Sequence, residues 1–135
     1  MNGFIWPVRV YYEDTDLGGV VYYANYLRFM ERARTEWLRS LGIEQDELID
    51  RFDVIFAVRQ INVEYIQPAR FNDELLVTAS LIDFGKASMN LAQEITKKQT
   101  GVLCKGTVKI ASLKASTFKP CALPPALKAL LQTKE

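Results

Sequence analysis

Tyr23-Ala24-Asn25-Tyr26-Leu27-Arg28-Phe29-Met30-Glu31-Arg32-Ala33-Arg34-Thr35-Glu36-Trp37-Leu38-Arg39-Ser40-Leu41-Gly42 is the stretch that decides the architecture. Tyr23, Tyr26, Leu27, Met30, Ala33, Trp37, Leu38 and Leu41 recur at helical spacing within it. Arg28, Glu31, Arg32, Glu36 and Arg39 occupy much of the other face, and Gly42 stands where a C-terminal cap belongs. A helix of about five turns spans ~27–30 Å, enough to lie along a sheet. Its stripe carries two tyrosines and a tryptophan, which predicts a buried central helix rather than a peripheral one.

Outward from this helix the period is mostly two. Upstream, Ile5 to Tyr12 reads as a strand with Val8, Val10 and Tyr12 on one face and Arg9 and Tyr11 on the other. Downstream, a short helical stretch from Glu44 to Arg51 precedes strands at Val54–Ile66, Glu74–Phe84, Ala87–Lys97 and Val102–Leu113. Gln67-Pro68-Ala69-Arg70-Phe71-Asn72-Asp73, Asp83-Phe84-Gly85-Lys86 and Gln99-Thr100-Gly101 supply the turns. Pro124-Pro125 then opens a short amphipathic tail, Ala126 to Leu131. The order is strand, long helix, then strands in a meander. It predicts an α+β fold in which an antiparallel β-sheet wraps around one long central helix. With 135 residues, 15.4 kDa, and no repeat or linker, residues 1–135 are assigned to one domain. Such a sheet has open edges, and pairing them across a two-fold axis covers them, so at least a dimer is expected.

The chain is 49% hydrophobic and 24% charged, the composition of a soluble globular protein. It contains no histidine, which removes the usual metal sites, the Ser-His and Cys-His pairs and every imidazole acid or base. Chemistry must then run on carboxylates, backbone dipoles, Tyr, Lys or Cys. Net charge is +1, yet the segment from Lys97 onward holds eight lysines against Glu135 alone, so it carries +7 and the preceding residues −6. That asymmetry suits a phosphate-bearing ligand or a lysine-protected sheet edge, and it is too balanced overall for a nucleic-acid coat. Cys104 and Cys121 form no CxxC pair and are expected to be reduced. Neither a signal-peptide pattern nor an apolar run of ~18 residues is present, so a cytoplasmic address without membrane insertion is expected.

The densest polar feature precedes the long helix: Glu13-Asp14-Thr15-Asp16-Leu17-Gly18-Gly19. Three carboxylates within four residues repel one another, which favours separating at least one from the rest. The alternative use of one of them is as a helix cap, although Asp16 lies too far from Tyr23 for a simple N-cap of a helix beginning there. Gly18-Gly19 permits positive φ and close backbone approach, and the helix start beyond it offers unpaired N–H groups. A carboxylate to attack or to deprotonate water, with backbone donors for a developing oxyanion, is what hydrolysis of an activated acyl group requires.

The run Val8-Arg9-Val10-Tyr11-Tyr12-Glu13-Asp14-Thr15-Asp16-Leu17-Gly18-Gly19-Val20-Val21-Tyr22-Tyr23-Ala24-Asn25-Tyr26-Leu27, with Glu31-Arg32-Ala33-Arg34-Thr35-Glu36, resembles the signature of the 4-hydroxybenzoyl-CoA thioesterase-like hotdog family. It most closely resembles the YbgC branch, associated with the Tol-Pal system. The similarity continues through Val58-Arg59, Val63-Glu64-Tyr65, Pro68-Ala69-Arg70, Lys119-Pro120 and Ala122-Leu123-Pro124, and so covers nearly the whole chain. The resemblance implies a hotdog fold, a homodimer pairing into a homotetramer, and hydrolysis of acyl-CoA without a metal or cofactor. It places the catalytic aspartate on Asp16 and the carbonyl-polarising backbone N–H on Tyr23, with Gly19 against the substrate. Lys86 matches a position near the basic run that meets CoA in the 4-hydroxybenzoyl-CoA branch; Lys119 and Lys114 are further candidates for the CoA phosphates only through the positive charge of the last third of the chain, where an ordinary surface role competes. At Tyr23 the YbgC branch usually has histidine; the 4-hydroxybenzoyl-CoA branch has tyrosine, as here. Arg59 and Glu64 suit strand pairing or an interface, and Cys104 a small buried residue. The reading from another class is a hotdog module that binds acyl-CoA or acyl carrier protein without turnover.

Overall fold

The computed structural model describes residues 3–133. Strand β1 (Phe4–Arg9) leads through a 3-10 turn (Tyr12–Asp14) to helix α1 (Tyr23–Ser40) and a short helix α2 (Gln45–Phe52). Strands β2 (Val54–Tyr65), β3 (Glu74–Phe84), β4 (Ser88–Lys97) and β5 (Gly101–Lys114) follow, then α3 (Pro125–Thr133). The five strands form one antiparallel sheet in the order β1-β3-β4-β5-β2, and α1 packs on it through β1, β3 and β4. This is the expected α+β arrangement of one long helix on an antiparallel sheet.

Three details differ from expectation. The first strand stops at Arg9, not Tyr12, because its partner begins at Glu74 and the ladder runs out at the Arg9–Glu74 pair. Val10 is held by Asn72 and Asp73 through backbone bonds of 3.0 and 2.9 Å, and then the chain turns, leaving Tyr12 exposed with its ring edge-on to Phe71. The meander is confined to β3-β4-β5. β2 lies beyond β5 at the sheet edge, because the connection from Ile66 to Asp73 is too long for a hairpin and crosses the end of the sheet. Along that crossing Gln67 N–H bonds the Leu103 carbonyl, and the Ala69 carbonyl accepts Val21 N–H at 2.8 Å. Finally, the buried face of α1 is rotated slightly from the predicted stripe: Phe29 is fully buried, Arg34 is buried, and Tyr23 is exposed.

The core lies between α1 and the sheet in two apolar groups. One surrounds Trp37 and Leu38 with Met89, Leu91, Val108 and α3 residues Leu127 and Leu131; the other surrounds Tyr26, Phe29 and Met30 with Val77, Ile95 and Leu103. Each large apolar side chain so buried contributes roughly 1.5–3 kcal/mol. Between the groups sits a polar layer. Arg34 Nη1 donates to Gln93 Oε1 at 2.9 Å, and Gln93 Nε2 donates to the carbonyls of Met30 (3.0 Å) and Thr78 (3.1 Å). Burial lowers the Arg34 pKa, and Glu31 partly opposes that effect. Misplacing this guanidinium would strand a buried cation, so the layer fixes the depth and rotation of α1 on the sheet.

Candidate active site

The acidic turn folds as a small hairpin against the start of α1. Asp16 N–H bonds the Val20 carbonyl at 2.9 Å, Gly19 N–H bonds the Asp16 carbonyl at 3.0 Å, and Thr15 bridges Val21. Gly19 adopts φ +80°, which a side chain would strain, and a Cβ at Gly18 would lie 3.2 Å from Asp16 Oδ1. The sequence therefore closes tightly here because two glycines make room for the aspartate.

The three carboxylates are separated as repulsion favours. Asp14 is buried, its Oδ2 accepting Tyr11 N–H at 2.8 Å, while Glu13 points to solvent. Asp16 is exposed, with Oδ1 accepting Gly18 N–H at 2.8 Å. That bond orients the carboxylate and involves only one of its two oxygens. The Asp14 carbonyl accepts Tyr22 N–H at 3.0 Å and Asn25 Nδ2 at 2.9 Å, tying the hairpin to the first turn of α1. The helix itself starts without a side-chain cap, its N-cap being Tyr22, and its first turn holds no acid. Among the described residues the N–H groups of Tyr23 and Ala24 have no acceptor. The positive end of the helix dipole is thus unneutralised beside the Asp16 hairpin.

Aromatic rings line this corner. Tyr22 and Tyr23 lie with centroids 4.8 Å apart, and Tyr65 sits edge-on to Tyr23 at 6.2 Å and to Tyr26 at 5.5 Å. The Tyr22 phenol is raised above its ordinary range, first by the adjacent Tyr23 hydroxyl and also by the Asp16 charge. Burial raises Tyr26 more than its bond from Ala69 N–H, 3.0 Å, lowers it, and burial also raises Tyr65. All three phenols therefore stay protonated at neutral pH and do not serve as bases; Tyr65 donates to the Tyr23 carbonyl, and Tyr26 accepts Ala69 N–H. Burial pushes the Cys104 thiol up to about 11, so it is no thiolate nucleophile at neutral pH.

Asp16 and Gly19 lie in the hairpin that is tied, through the Asp14 carbonyl, to the first turn of α1, which Tyr23 opens; Lys86 and Lys119 lie at the other end of β5. The Lys86 carbonyl bonds Leu123 N–H and the Lys119 carbonyl bonds Lys114 N–H, both near the Ser112–Lys114 end of β5. Tyr23 is reached from Tyr65, which stands opposite Cys104 on β5. Those positions are eight residues apart on one strand, roughly 26 Å at ~3.3 Å per residue. Reasoning from sequence also passed over Asn25 and Tyr65. A polar Asn in the apolar run Val20–Leu27 was the available signal for the first; Tyr65 had none, since only the register of β2 brings it to the helix start.

The pattern of the thioesterase-like superfamily matches residues 10–131. The chain is 43% identical over 128 residues to the acyl-CoA thioesterase YbgC of Haemophilus influenzae, an alignment covering 95% of this chain and 93% of that protein. It is 34% identical over 131 residues to the acyl-CoA thioesterase YbgC of Helicobacter pylori, covering 91% and 96%. The crystal structure of a 1,4-dihydroxy-2-naphthoyl-CoA thioesterase from Synechocystis superposes with a TM-score of 0.90 at 22% identity, covering 98% of each chain, a likeness of fold.

Proposed function

The chain belongs to the thioesterase-like superfamily, among its YbgC acyl-CoA thioesterases, and from that premise we propose that Asp16 and the uncapped start of α1 form its catalytic centre. The observation that carries the proposal is the pairing of an oriented carboxylate, Oδ1 on Gly18 N–H, with a helix start whose Tyr23 N–H has no acceptor among the described residues. The thioester carbonyl oxygen lies against the Tyr23 N–H, which stabilises the negative charge that develops as the carbonyl carbon becomes tetrahedral. Two balanced courses use the same groups. In one, Asp16 takes a proton from water as its oxygen bonds the carbonyl carbon; the C–S bond breaks, and the proton passes to the leaving thiolate. In the other, Asp16 itself attacks, expelling CoA thiolate and forming a mixed anhydride that water hydrolyses to the free acid. Because the backbone N–H performs the polarisation, tyrosine serves at position 23 as well as histidine would.

The quaternary reading follows from the sheet. β2 is an edge strand of 12 residues without proline, and we infer that two copies pair through it antiparallel. Such pairing carries the Val54 end of one copy towards the Tyr65 end of the other. Lys86 and Lys119 of the second copy then approach the Asp16 corner of the first, where their charges suit the CoA phosphates. The outer face of the sheet remains available for two dimers to associate as a tetramer. Two free cysteines, Cys104 and Cys121, fit a reducing cytoplasm.

The test is Asp16→Asn, followed by release of free thiol from short, long and aromatic acyl-CoAs. Turnover is expected to fall by ~10²–10⁴-fold with melting temperature and CoA affinity retained. Undiminished turnover in this variant removes Asp16 from the mechanism.

A further inference from the structure

Tyr65 is the last residue of β2, and its hydroxyl donates to the carbonyl oxygen of Tyr23 at 3.2 Å. That carbonyl is one half of the first peptide unit inside α1; the other half is the N–H of Ala24. A peptide unit is planar, so a partner fixed on the oxygen side fixes the direction of the N–H on the opposite side. The same donor polarises the unit and strengthens its N–H as a donor in turn. Ala24 N–H, like that of Tyr23, has no acceptor among the described residues.

The hydroxyl is itself well placed. The Tyr65 ring is edge-on to both Tyr26 and Tyr23, and Tyr26 is anchored by accepting Ala69 N–H at 3.0 Å. On the other side of the turn, Asn25 Nδ2 and Tyr22 N–H both bond the Asp14 carbonyl. The first turn of α1 is therefore gripped by the Asp16 hairpin on one side and by the end of β2 on the other.

We propose that Tyr65 is a positioning residue for thioester hydrolysis, holding the Tyr23–Ala24 peptide so that Ala24 N–H stands beside Tyr23 N–H as a second donor to the oxyanion. This rests on the reading of Asp16 and the helix start as the catalytic centre. It makes β2, the edge strand, a direct support of the catalytic centre.

The experiment combines Tyr65→Phe, which keeps the ring and removes the hydroxyl, with replacement of Ala24 by lactic acid, which turns the Tyr23–Ala24 peptide into an ester, deleting that N–H and weakening the Tyr23 carbonyl as the acceptor of the Tyr65 hydroxyl. Tyr65→Phe is expected to lower kcat by ~5–30-fold, a fraction of the loss from deleting a whole oxyanion donor, with KM and melting temperature little changed. The ester is expected to lower kcat by at least as much. In the ester background Tyr65→Phe is expected to add less than about twofold, because the group it positions is gone. Full multiplication of the two losses overturns the proposal, as does a Tyr65→Phe variant whose loss appears in KM or melting temperature. Unchanged kcat in Tyr65→Phe while Asp16→Asn is inactive overturns the role of Tyr65 and leaves the catalytic centre standing. Unchanged kcat in both variants overturns the catalytic centre as well.

Discussion

Tyr23→Pro isolates the backbone donor from the side chain that carries it. Proline lacks the N–H, and at the first helical position that loss breaks no internal hydrogen bond while the fixed φ suits the helix. Tyr23 is the first residue of α1. The residue before it, Tyr22, has φ −63° and ψ 134°, the extended conformation that a following proline prefers, so the ring is accommodated without backbone movement. Fixing φ in the unfolded chain stabilises by ~0.4–1 kcal/mol, which offsets in part the lost ring contacts of Tyr23 with Tyr22 and Tyr65. Melting is therefore expected to shift by only a few degrees. The catalytic consequence is much larger: deleting one preorganised oxyanion donor costs ~10²–10³ in kcat, about 2.7–4 kcal/mol. Tyr23→Ala is the control, since it loses the same ring and keeps the N–H. Free-thiol release at saturating acyl-CoA, with circular-dichroism melting on the same samples, compares the two. A folded proline variant whose kcat is within about threefold of the alanine variant refutes the assignment of this N–H.

Two further outcomes test the assembly and the frame around the site. Mixing Asp16→Asn subunits with Lys86→Glu/Lys119→Glu subunits under exchange is expected to restore turnover at low acyl-CoA, because a hybrid dimer then holds one intact corner; mixtures no better than the separate variants refute a site shared across the two-fold axis. Asp73 is held below the ordinary carboxylate range: burial works against this, but the Lys97 ammonium at 2.9 Å and Arg70 N–H at 2.8 Å outweigh it. A depressed native pKa stabilises the fold above the unfolded carboxylate value, and that share is lost as pH falls through the native one. Asp73→Asn is therefore expected to cost ~1–2 kcal/mol at neutral pH and to flatten the acid limb of the melting curve; an unchanged acid limb counts against the ion pair.

What the chain discloses before folding divides along a physical line. β3, β4 and α1 are legible because each is bounded by local signals, Asn72-Asp73, Gly85 and Gly42, and carries its own period. The end of β1 is not, because Arg9 is the last paired residue only by virtue of where β3 begins. Nor is the place of β2, since alternation shows that a segment is a strand and says nothing of its neighbour. The site divides in the same way. Asp16 and its glycines lie within four residues and can be read together. Tyr65 is distant in sequence, and the buried pair Arg34 and Gln93 is invisible to a reading that places charged helix residues outside.

The helix start contains the plainest departure from local preference, and its logic bears on function. Acids occupy positions 13, 14 and 16, within reach in sequence of a helix that opens at Tyr23, and none caps it. Asp14 is spent on Tyr11 N–H, Asp16 on Gly18 N–H, and the N-cap is a tyrosine with no side-chain bond to the turn. Forgoing a Ser, Thr, Asn or Asp cap costs a helix about 1 kcal/mol. A cap here would occupy the donors that the oxyanion needs, and an acid in the first turn would neutralise the positive end of the dipole. In a chain without histidine no imidazole can substitute for those donors. The cost is met by tying the turn at its flanks instead, through Asn25 to the Asp14 carbonyl and through the Tyr65 hydroxyl to the Tyr23 carbonyl. Both ties engage groups other than the first two helical N–H groups. A first turn that is held rigidly while its leading donors stay open is what a backbone oxyanion site requires, and it accounts for why sequence rules for helix starts fail at this position.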